Sequence, residues 1–189
     1  MSLELYMDNC RPAVFARDWL PGREIAGTTF EPISAKARGH LHKAMREGYT
    51  VTTNQYDYRN SRLDQILAIN QSKTERQGRE MHDSYNHPQP FGHTEFCHHH
   101  HFILLLCLDR NGIIVGYMEF YIVGEFAQTS RILGHASHMK NGIMDLIFVE
   151  AFELCHNYNV KLFCYGEWES GLPGLKVFKT SLGFKPTRI

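Results

Sequence analysis

Two histidines and a glycine lie close together in the last third of the chain, at His135, His138 and Gly142. Histidine is the side chain whose charge changes near neutral pH, which suits it to act as a general base. His135 and His138 are three positions apart, so on a helical turn both could face one ligand. The alternative is that one or both rings bond to nearby backbone groups. The spacing makes both histidines candidate catalytic bases.

An apolar helix pattern begins at Gly142, directly after the histidines. The first N–H groups of a helix have no partner within it, and they readily bind phosphate or pyrophosphate. The backbone of Lys140, Asn141, Gly142 and Ile143 is therefore a candidate cofactor-binding segment. The alternative is that Gly142 only begins a helix, as glycines often do.

A second candidate group follows the short apolar strand that the pattern predicts over residues 160–165. Ligands of α/β sheets bind beyond the carboxyl ends of strands. Tyr165 could donate a proton there, Glu167 or Glu169 could accept one from an attacking amine, and Trp168 could contact substrate. A turn with surface carboxylates is the other interpretation.

Three basic side chains are candidates for binding an anion. Lys179 lies on a predicted final helix, where its ammonium could neutralise a phosphate or a developing oxyanion. Arg76 and Arg79 flank Gly78 in a polar stretch and could hold a carboxylate or phosphate between them. The alternatives are a solvated lysine on an amphipathic helix and an ordinary charged loop.

The run Cys97-His98-His99-His100-His101 resembles a metal-binding tract. Structural zinc sites need ligands that converge from separate segments, and consecutive residues of a strand point to opposite faces. We therefore expect no physiological metal here, and histidines that line a ligand-binding cleft instead.

The composition narrows the class of protein. The chain has 189 residues, with 20 Lys plus Arg and 20 Asp plus Glu, so no basic field favours duplex nucleic acid. The longest apolar run, 102–108, is too short to cross a membrane. Five cysteines, without a C-x-x-C pair and without a leader pattern, indicate a reducing, cytoplasmic setting. We expect one domain over 1–189, with an extension and helix in 1–48 and the core in 49–186.

The pattern predicts antiparallel strands followed by a β-α-β crossover, with 1–33 irregular and 71–96 a long loop. The predicted helices are 35–47, one that is capped by Asn60 or Ser61 and runs to about residue 70, 142–156 and 175–182. The predicted strands are 49–58, 102–108, 113–123, 126–133 and 160–165.

This order, with the closing motif Phe178-Lys179-x-x-x-Gly183-Phe184-x-Pro186, resembles the C-terminal half of the GNAT acyltransferase superfamily. It is more similar to the aminoacyl-transferring, FemABX-like members than to ordinary acetyltransferases. The resemblance implies an α/β (α+β) fold: a mixed, mostly antiparallel sheet with helices on both faces and a cleft between the fourth and fifth strands. It also implies acyl or aminoacyl transfer to a small-molecule or peptide amine, with acyl-CoA or aminoacyl-tRNA as donor. A homodimer is compatible with this resemblance.

The chain departs from the ordinary acetyl-CoA pattern at three positions. Met139 stands where Arg or Gln is expected, Met144 stands where a second small residue is expected, and Lys179 replaces the tyrosine that protonates the leaving thiolate. A bulky Met144 would crowd a pyrophosphate, so we expect weak binding of acetyl-CoA. The alternative function is therefore a non-catalytic GNAT-fold module that binds a ligand or protein partner.

Overall fold

The computed structural model of the chain describes residues 24–29, 32–76, 78–91, 100–169 and 172–188. The strands are β1 Glu24–Thr28, β2 Thr50–Thr53, β3 Glu75–Arg76, β4 Arg79–Glu80, β5 His100–Leu108, β6 Ile114–Val123, β7 Phe126–Gly134, β8 Leu162–Glu167 and β9 Lys185–Arg188. The helices are α1 Ala35–Arg46, α2 Tyr56–Asn60, α3 Leu63–Gln71, α4 Ile143–Asn157 and α5 Pro173–Ser181, with 3₁₀ turns at Asp83–Asn86 and Met139–Asn141.

Seven strands form one mixed sheet in the order β2-β5-β6-β7-β8-β1-β9, and β3 pairs with β4 in a separate ribbon. Within the described residues, β7 and β8 are the parallel pair of the large sheet and its other neighbours are antiparallel. This is the mixed, mostly antiparallel sheet that the sequence predicts. The crossover from β7 to β8 is α4, as expected for a parallel connection.

Helices cover both faces of the sheet, as predicted. On one face α4 packs its apolar side on the sheet, and α1 packs on α4. On the other face α3 covers β6 and β7 and buries Ile66 and Ile69. The described residues therefore form two apolar cores, and the sheet separates them.

Local signals explain the elements that were predicted well. Ser34 caps α1 by accepting a hydrogen bond from the Ala37 N–H at 3.2 Å, and Gly48 follows that helix at φ +81°. In the β5–β6 hairpin, Gly112 has φ +75°, and Asp109 Oδ1 accepts hydrogen bonds from the backbone N–H groups of Asn111 and Ile113. These turn residues set the register of the two strands.

The prediction of an irregular segment over 1–33 is wrong for Glu24–Thr28. This strand lies between β8 and β9 and pairs with both. A Cβ on Gly27 would lie 2.9 Å from Thr187 Oγ1, so the glycine lets β9 approach closely. The glycine that weakens the local strand signal is thus required by the tertiary pairing.

The predicted strand over 49–58 is shorter than expected. It ends at Thr53, since Asn54 has φ +52°, and α2 follows. The Tyr56 hydroxyl donates to the Phe102 carbonyl at 2.9 Å, and the Tyr58 hydroxyl donates to the Gly112 carbonyl. The aromatic residues that favour a strand in the sequence therefore anchor a short helix to the β5–β6 hairpin.

The stretch 71–96 was predicted as one long loop, and its described part is not structureless. It contains the β3–β4 ribbon and the Asp83–Asn86 turn. In the described ranges, no helix has the length and apolar character that a bilayer crossing requires.

Candidate active site at the carboxyl ends of β7 and β8

The parallel pair β7 and β8 separates toward its carboxyl end. The two strands pair only from Phe126 to Gln128, opposite Leu162 to Cys164. Beyond these residues β7 continues to Gly134 beside β6, and β8 continues beside β1. This separation is the predicted cleft between the fourth and fifth strands of the core.

Helix α1 packs directly on the amino end of α4, the segment that the sequence makes a candidate cofactor-binding site. Gly142 has φ +81°, and a Cβ there would lie 2.3 Å from the backbone oxygen of His40 in α1. His40 Nδ1 also lies 3.3 Å from the carboxylate of Asp145, which is buried in the first turn of α4. Burial raises the pKa of Asp145, and His40 partly offsets this. The contact with α1 therefore explains why position 142 is a glycine.

Two methionines lie against the end of β7: Met144 is buried, and Met139 is 39% exposed. The sulfur atoms of Met139 and Met144 would each lie 2.8 Å from a Cβ on Gly134. They pack against the last residue of β7, and Ile143 beside them is buried. This apolar packing leaves the first turn of α4 poorly suited to a charged pyrophosphate.

In the segment predicted to bind a phosphate, several polar groups already form hydrogen bonds with other groups of the protein. The Asn141 N–H donates to the His138 carbonyl at 2.9 Å, and the Gly142 N–H donates to the Met139 carbonyl at 3.4 Å. The Lys140 carbonyl accepts from Lys43 Nζ of α1 at 2.9 Å. A cofactor role for residues 140–143 stays a prediction, and this bonding does not favour it.

His138 is held by a buried tyrosine that the sequence did not single out. The Tyr49 hydroxyl lies 2.7 Å from His138 Nδ1 and accepts from Asn141 Nδ2 at 2.9 Å. With Asn141 as its donor, the Tyr49 O–H is left to donate to Nδ1, and this network assigns the proton of a neutral His138 to Nε2. The geometry thus favours His138 as a hydrogen-bond donor, whereas the predicted role was that of a base.

His135 lies beside His138, as the spacing predicts, with ring centroids 5.5 Å apart. Its Nδ1 accepts hydrogen bonds from Ser137, from the hydroxyl at 2.8 Å and from the backbone N–H at 3.4 Å. Burial, His138 and Arg76 lower the pKa of His135 below its ordinary value. At neutral pH the ring is therefore uncharged, with its proton on Nε2.

Arg76 reaches the histidine loop, but through backbone contacts. Its guanidinium donates to the carbonyl of Gly134 at 3.1 Å, to the carbonyl of Ile69 at 2.8 Å and to the Ser72 hydroxyl at 3.2 Å. Ser72 in turn accepts from the N–H of Ala136 at 3.0 Å. Arg76 therefore ties the end of α3 to the end of β7 and positions the loop that carries His135.

Arg79 is the residue opposite Arg76 in the β3–β4 ribbon, and it is exposed. The two arginines do not converge on a common partner among the described residues. Substrate binding by either arginine stays a prediction.

Lys179 is buried at the carboxyl end of β8, with 1% of its surface exposed. Its Nζ donates to the Glu167 carbonyl at 2.5 Å and lies 5.1 Å from the centre of the Tyr165 ring. Burial lowers the pKa of Lys179. A solvated surface lysine, the alternative left open by the sequence, is thereby excluded, and Lys179 lies beside Tyr165 and the Glu167 backbone, two candidates that the sequence treats separately from it.

Trp168 lies at the outer side of this group. Lys176 Nζ is 6.0 Å from the centre of its ring and forms an ion pair with Glu169 at 2.6 Å. Trp168 remains partly exposed, which is compatible with the predicted contact to substrate.

The histidine run falls largely outside the described residues, which include only His100 and His101 of it. His101 packs against Tyr158 with ring centroids 4.6 Å apart. Across the described ranges, no three His, Cys, Asp or Glu side chains are grouped as metal ligands. The cysteines Cys107, Cys155 and Cys164 are free and buried, as predicted for small apolar residues.

Solved structures with the same fold include FemX, which superimposes with a TM-score of 0.62 at 9% identity over 92% of this chain and 61% of FemX. L-PGS from Bacillus licheniformis matches with a TM-score of 0.57 at 16% identity, over 87% of this chain and 58% of that one. The C-terminal domain of a protein assigned as a lysylphosphatidylglycerol synthetase in Agrobacterium fabrum also has a TM-score of 0.57. It is 14% identical, over 87% of this chain and 58% of that one. The fold is GNAT-like.

This chain spans about three fifths of the length of these solved structures. No protein-family model and no curated protein matches the sequence. The comparison therefore establishes the fold, and the function has to be argued from the site.

Proposed function

We propose that this protein is an N-acyltransferase or aminoacyltransferase that transfers an acyl group from an ester or thioester donor to an amine. The observation that carries the proposal is the buried Lys179 at the carboxyl end of β8, next to Tyr165, where β7 and β8 separate. A lysine buried beside an opening in the sheet is costly unless its charge is used.

Lys179 is suited to stabilise an oxyanion. Its ammonium has three donors, and one of them is used by the Glu167 carbonyl. In the described part of the chain, no further hydrogen-bond acceptor contacts this ammonium group. Its remaining donors can therefore bind the negative oxygen that develops when an amine attacks a carbonyl.

The other groups take roles that balance the reaction. The acceptor nitrogen forms the new bond to the donor carbonyl carbon, and the carbon–oxygen or carbon–sulfur bond to the leaving group breaks. In this scheme the Tyr165 hydroxyl protonates the leaving group, and the Glu167 carboxylate takes the proton of the attacking amine. The histidines donate from Nε2 toward substrate.

The fold neighbours support an aminoacyl donor over acetyl-CoA. One of them is assigned as a lysylphosphatidylglycerol synthetase, a name that states an aminoacyl product. In this chain, Met139 and Met144 pack against Gly134 where a pyrophosphate would otherwise approach. We therefore propose an aminoacyl ester, such as aminoacyl-tRNA, as donor, and a small-molecule or peptide amine as acceptor.

A transfer assay with a matched pair of variants tests this function. Purified protein is incubated with aminoacyl-tRNA or acyl-CoA donors and with amino acid or peptide amines, and amide products are measured by mass spectrometry. Lys179→Met should lower kcat by about a hundredfold or more, because it removes an oxyanion donor. Lys176→Met, on the exposed side of the same helix, should leave kcat unchanged. Equal activity of the two variants would refute the role of Lys179.

A non-catalytic module is the second candidate, and one observation favours it. The amino end of α4, where the GNAT superfamily binds its cofactor, is covered by α1 at His40. If no donor of either class yields product while ligands still bind, this second function is supported and the transferase is refuted.

A further inference from the structure

The outward side of α1 carries a local excess of positive charge. The helix contains four Lys or Arg residues and no Asp or Glu, although the whole chain has equal numbers of the two signs. Lys36, Arg38 and Arg46 are exposed. The opposite side of α1 is apolar and packs against the core, so these charges extend into solvent.

Most of the charges on α1 have no carboxylate beside them. In the described part of the chain, no Asp or Glu forms an ion pair with Lys36, Arg38 or Arg46. Glu47 lies 3.9 Å from Lys43 and offsets one charge. The helix therefore keeps an excess that a polyanion can neutralise.

Two basic residues from other segments extend this surface. Arg110 of the β5–β6 turn is exposed and donates to the Glu47 carbonyl at 3.2 Å. Lys140 is also exposed, and its carbonyl accepts from Lys43 Nζ at 2.9 Å. Because Lys140 lies in the 3₁₀ turn directly after His138, the surface is continuous with the histidine loop. This basic face consists of Lys36, Arg38, Lys43, Arg46, Arg110 and Lys140.

The shape of the basic face suits a flexible polyanion better than a flat one. Lys36 and Arg46 are about 15 Å apart along the helix axis, and Lys36 and Arg38 point about 160° apart around it. A bilayer surface is flat, and helices that lie on it insert apolar side chains beside their charges. On α1, Met45 is the one large apolar side chain that is exposed. An RNA strand can curve around the helix and bring a phosphate to each charge.

We infer that the basic face binds the phosphate backbone of an RNA strand whose acylated end lies at the histidine loop. Lys and Arg neutralise phosphates without reading the base sequence, which suits a donor that is recognised by its acylated end. The inference names the surface for the RNA part of the donor, and it rests on the proposed function for its choice of polyanion. The helix that covers the amino end of α4 then binds phosphate on its outer side.

Fluorescence anisotropy of the intact chain with labelled, unacylated tRNA tests this surface. We expect a dissociation constant below about 100 μM at about 50 mM salt. The logarithm of the affinity should fall with the logarithm of the salt concentration with a slope of about 3, the value for about four neutralised phosphates of a single strand. Polyglutamate and phosphatidylglycerol vesicles, which represent an acidic protein and a membrane, should bind at least about tenfold more weakly.

Two double variants locate the binding surface. Lys36→Gln with Arg46→Gln removes two exposed charges from the basic face, and it should weaken tRNA binding at least about tenfold and lower the salt slope by about one. Lys73→Gln with Lys161→Gln removes the same net charge from exposed positions outside the basic face, and it should weaken binding less than about threefold. Thermal melting checks that both fold, and if one does not, the three polyanions and the salt slope on the unaltered chain decide.

The measurement separates this inference from the transfer reaction, because unacylated tRNA binds without any chemical step. Binding of tRNA through the basic face supports the inference even if the transfer assay yields no product. Absence of tRNA binding overturns it, whether or not the chain transfers an acyl group from another donor. Equal losses in the two double variants, or equally tight binding of polyglutamate or vesicles, overturn it as well.

Discussion

Replacing Gly142 by alanine tests whether α1 really closes over the amino end of α4. Two costs add at this position. A residue with a side chain at φ +81° costs about 1–2 kcal/mol. The new Cβ would also lie 2.3 Å from the backbone oxygen of His40, and relieving this overlap should cost about 1–3 kcal/mol more. The free energy of unfolding should therefore fall by about 2–5 kcal/mol.

Two other glycines separate these costs. Gly124 has φ +56° with nothing near its missing Cβ, so Gly124→Ala should show the conformational cost alone, about 1–2 kcal/mol. Gly39 lies in α1 beside His40, with open space around it, so Gly39→Ala should stabilise the protein by about 0.5–1 kcal/mol. Urea unfolding followed by circular dichroism measures all three. If Gly142→Ala costs no more than Gly124→Ala, α1 does not pack on Gly142 and the amino end of α4 is open to a ligand.

Three further predictions concern the loop that carries the histidines. The pKa of His135 is lowered in the folded protein, so near and below the ordinary histidine pKa of about 6.5 the unfolded chain binds more protons than the folded one. The free energy of unfolding should therefore fall as the pH drops through that region. His135→Asn should make this fall less steep, and an unchanged slope would contradict the prediction. Arg76→Lys should lower the free energy of unfolding by about 1–3 kcal/mol, since an ammonium cannot reach all three acceptors of the guanidinium. Arg79→Lys, at the exposed position opposite Arg76, should change the free energy of unfolding by less than about 0.5 kcal/mol. Equal effects in urea unfolding would refute the bridging role of Arg76. Tyr49→Phe should cost about 1 kcal/mol and shift the ¹⁵N resonances of the His138 ring, because Nδ1 loses its donor; an unaltered spectrum would show that the hydroxyl does not set the tautomer.

The elements that the sequence predicts well depend on neighbouring residues. The β5–β6 hairpin follows from Asn111-Gly112, and α1 follows from Ser34 and Gly48. The strand Glu24–Thr28 was missed because its partners lie far away in the chain, in β8 and β9. A pairing of this kind leaves little local signal, and Gly27 weakens what there is.

The positions of several candidate site residues could be predicted, because they follow from the order of the strands and helices. His135, His138, Tyr165 and Lys179 lie at the strand ends where the order of elements places them. The cover of Gly142 by His40 could not be predicted, since a glycine that opens a helix looks the same whether a phosphate or another helix approaches it.

Glu119 and Tyr49 were not selected from the sequence, although Glu119 carried a signal there. Glu119 is a charged residue in the middle of an apolar strand, where charge is rarely buried unless it is paired, and Arg131 lies 4.0 Å from it. Tyr49 carried no such signal, because an aromatic residue before a strand is ordinary.

An α-aminophosphonate ester tests the central claim most directly. In this analogue of an aminoacyl ester, a tetrahedral phosphorus replaces the reacting carbonyl carbon. A crystal structure of the complex should place a phosphonate oxygen about 3 Å from Lys179 Nζ, at the opening between β7 and β8. An analogue that binds elsewhere, with Lys179 still enclosed by Tyr165 and the Glu167 carbonyl, would contradict the account.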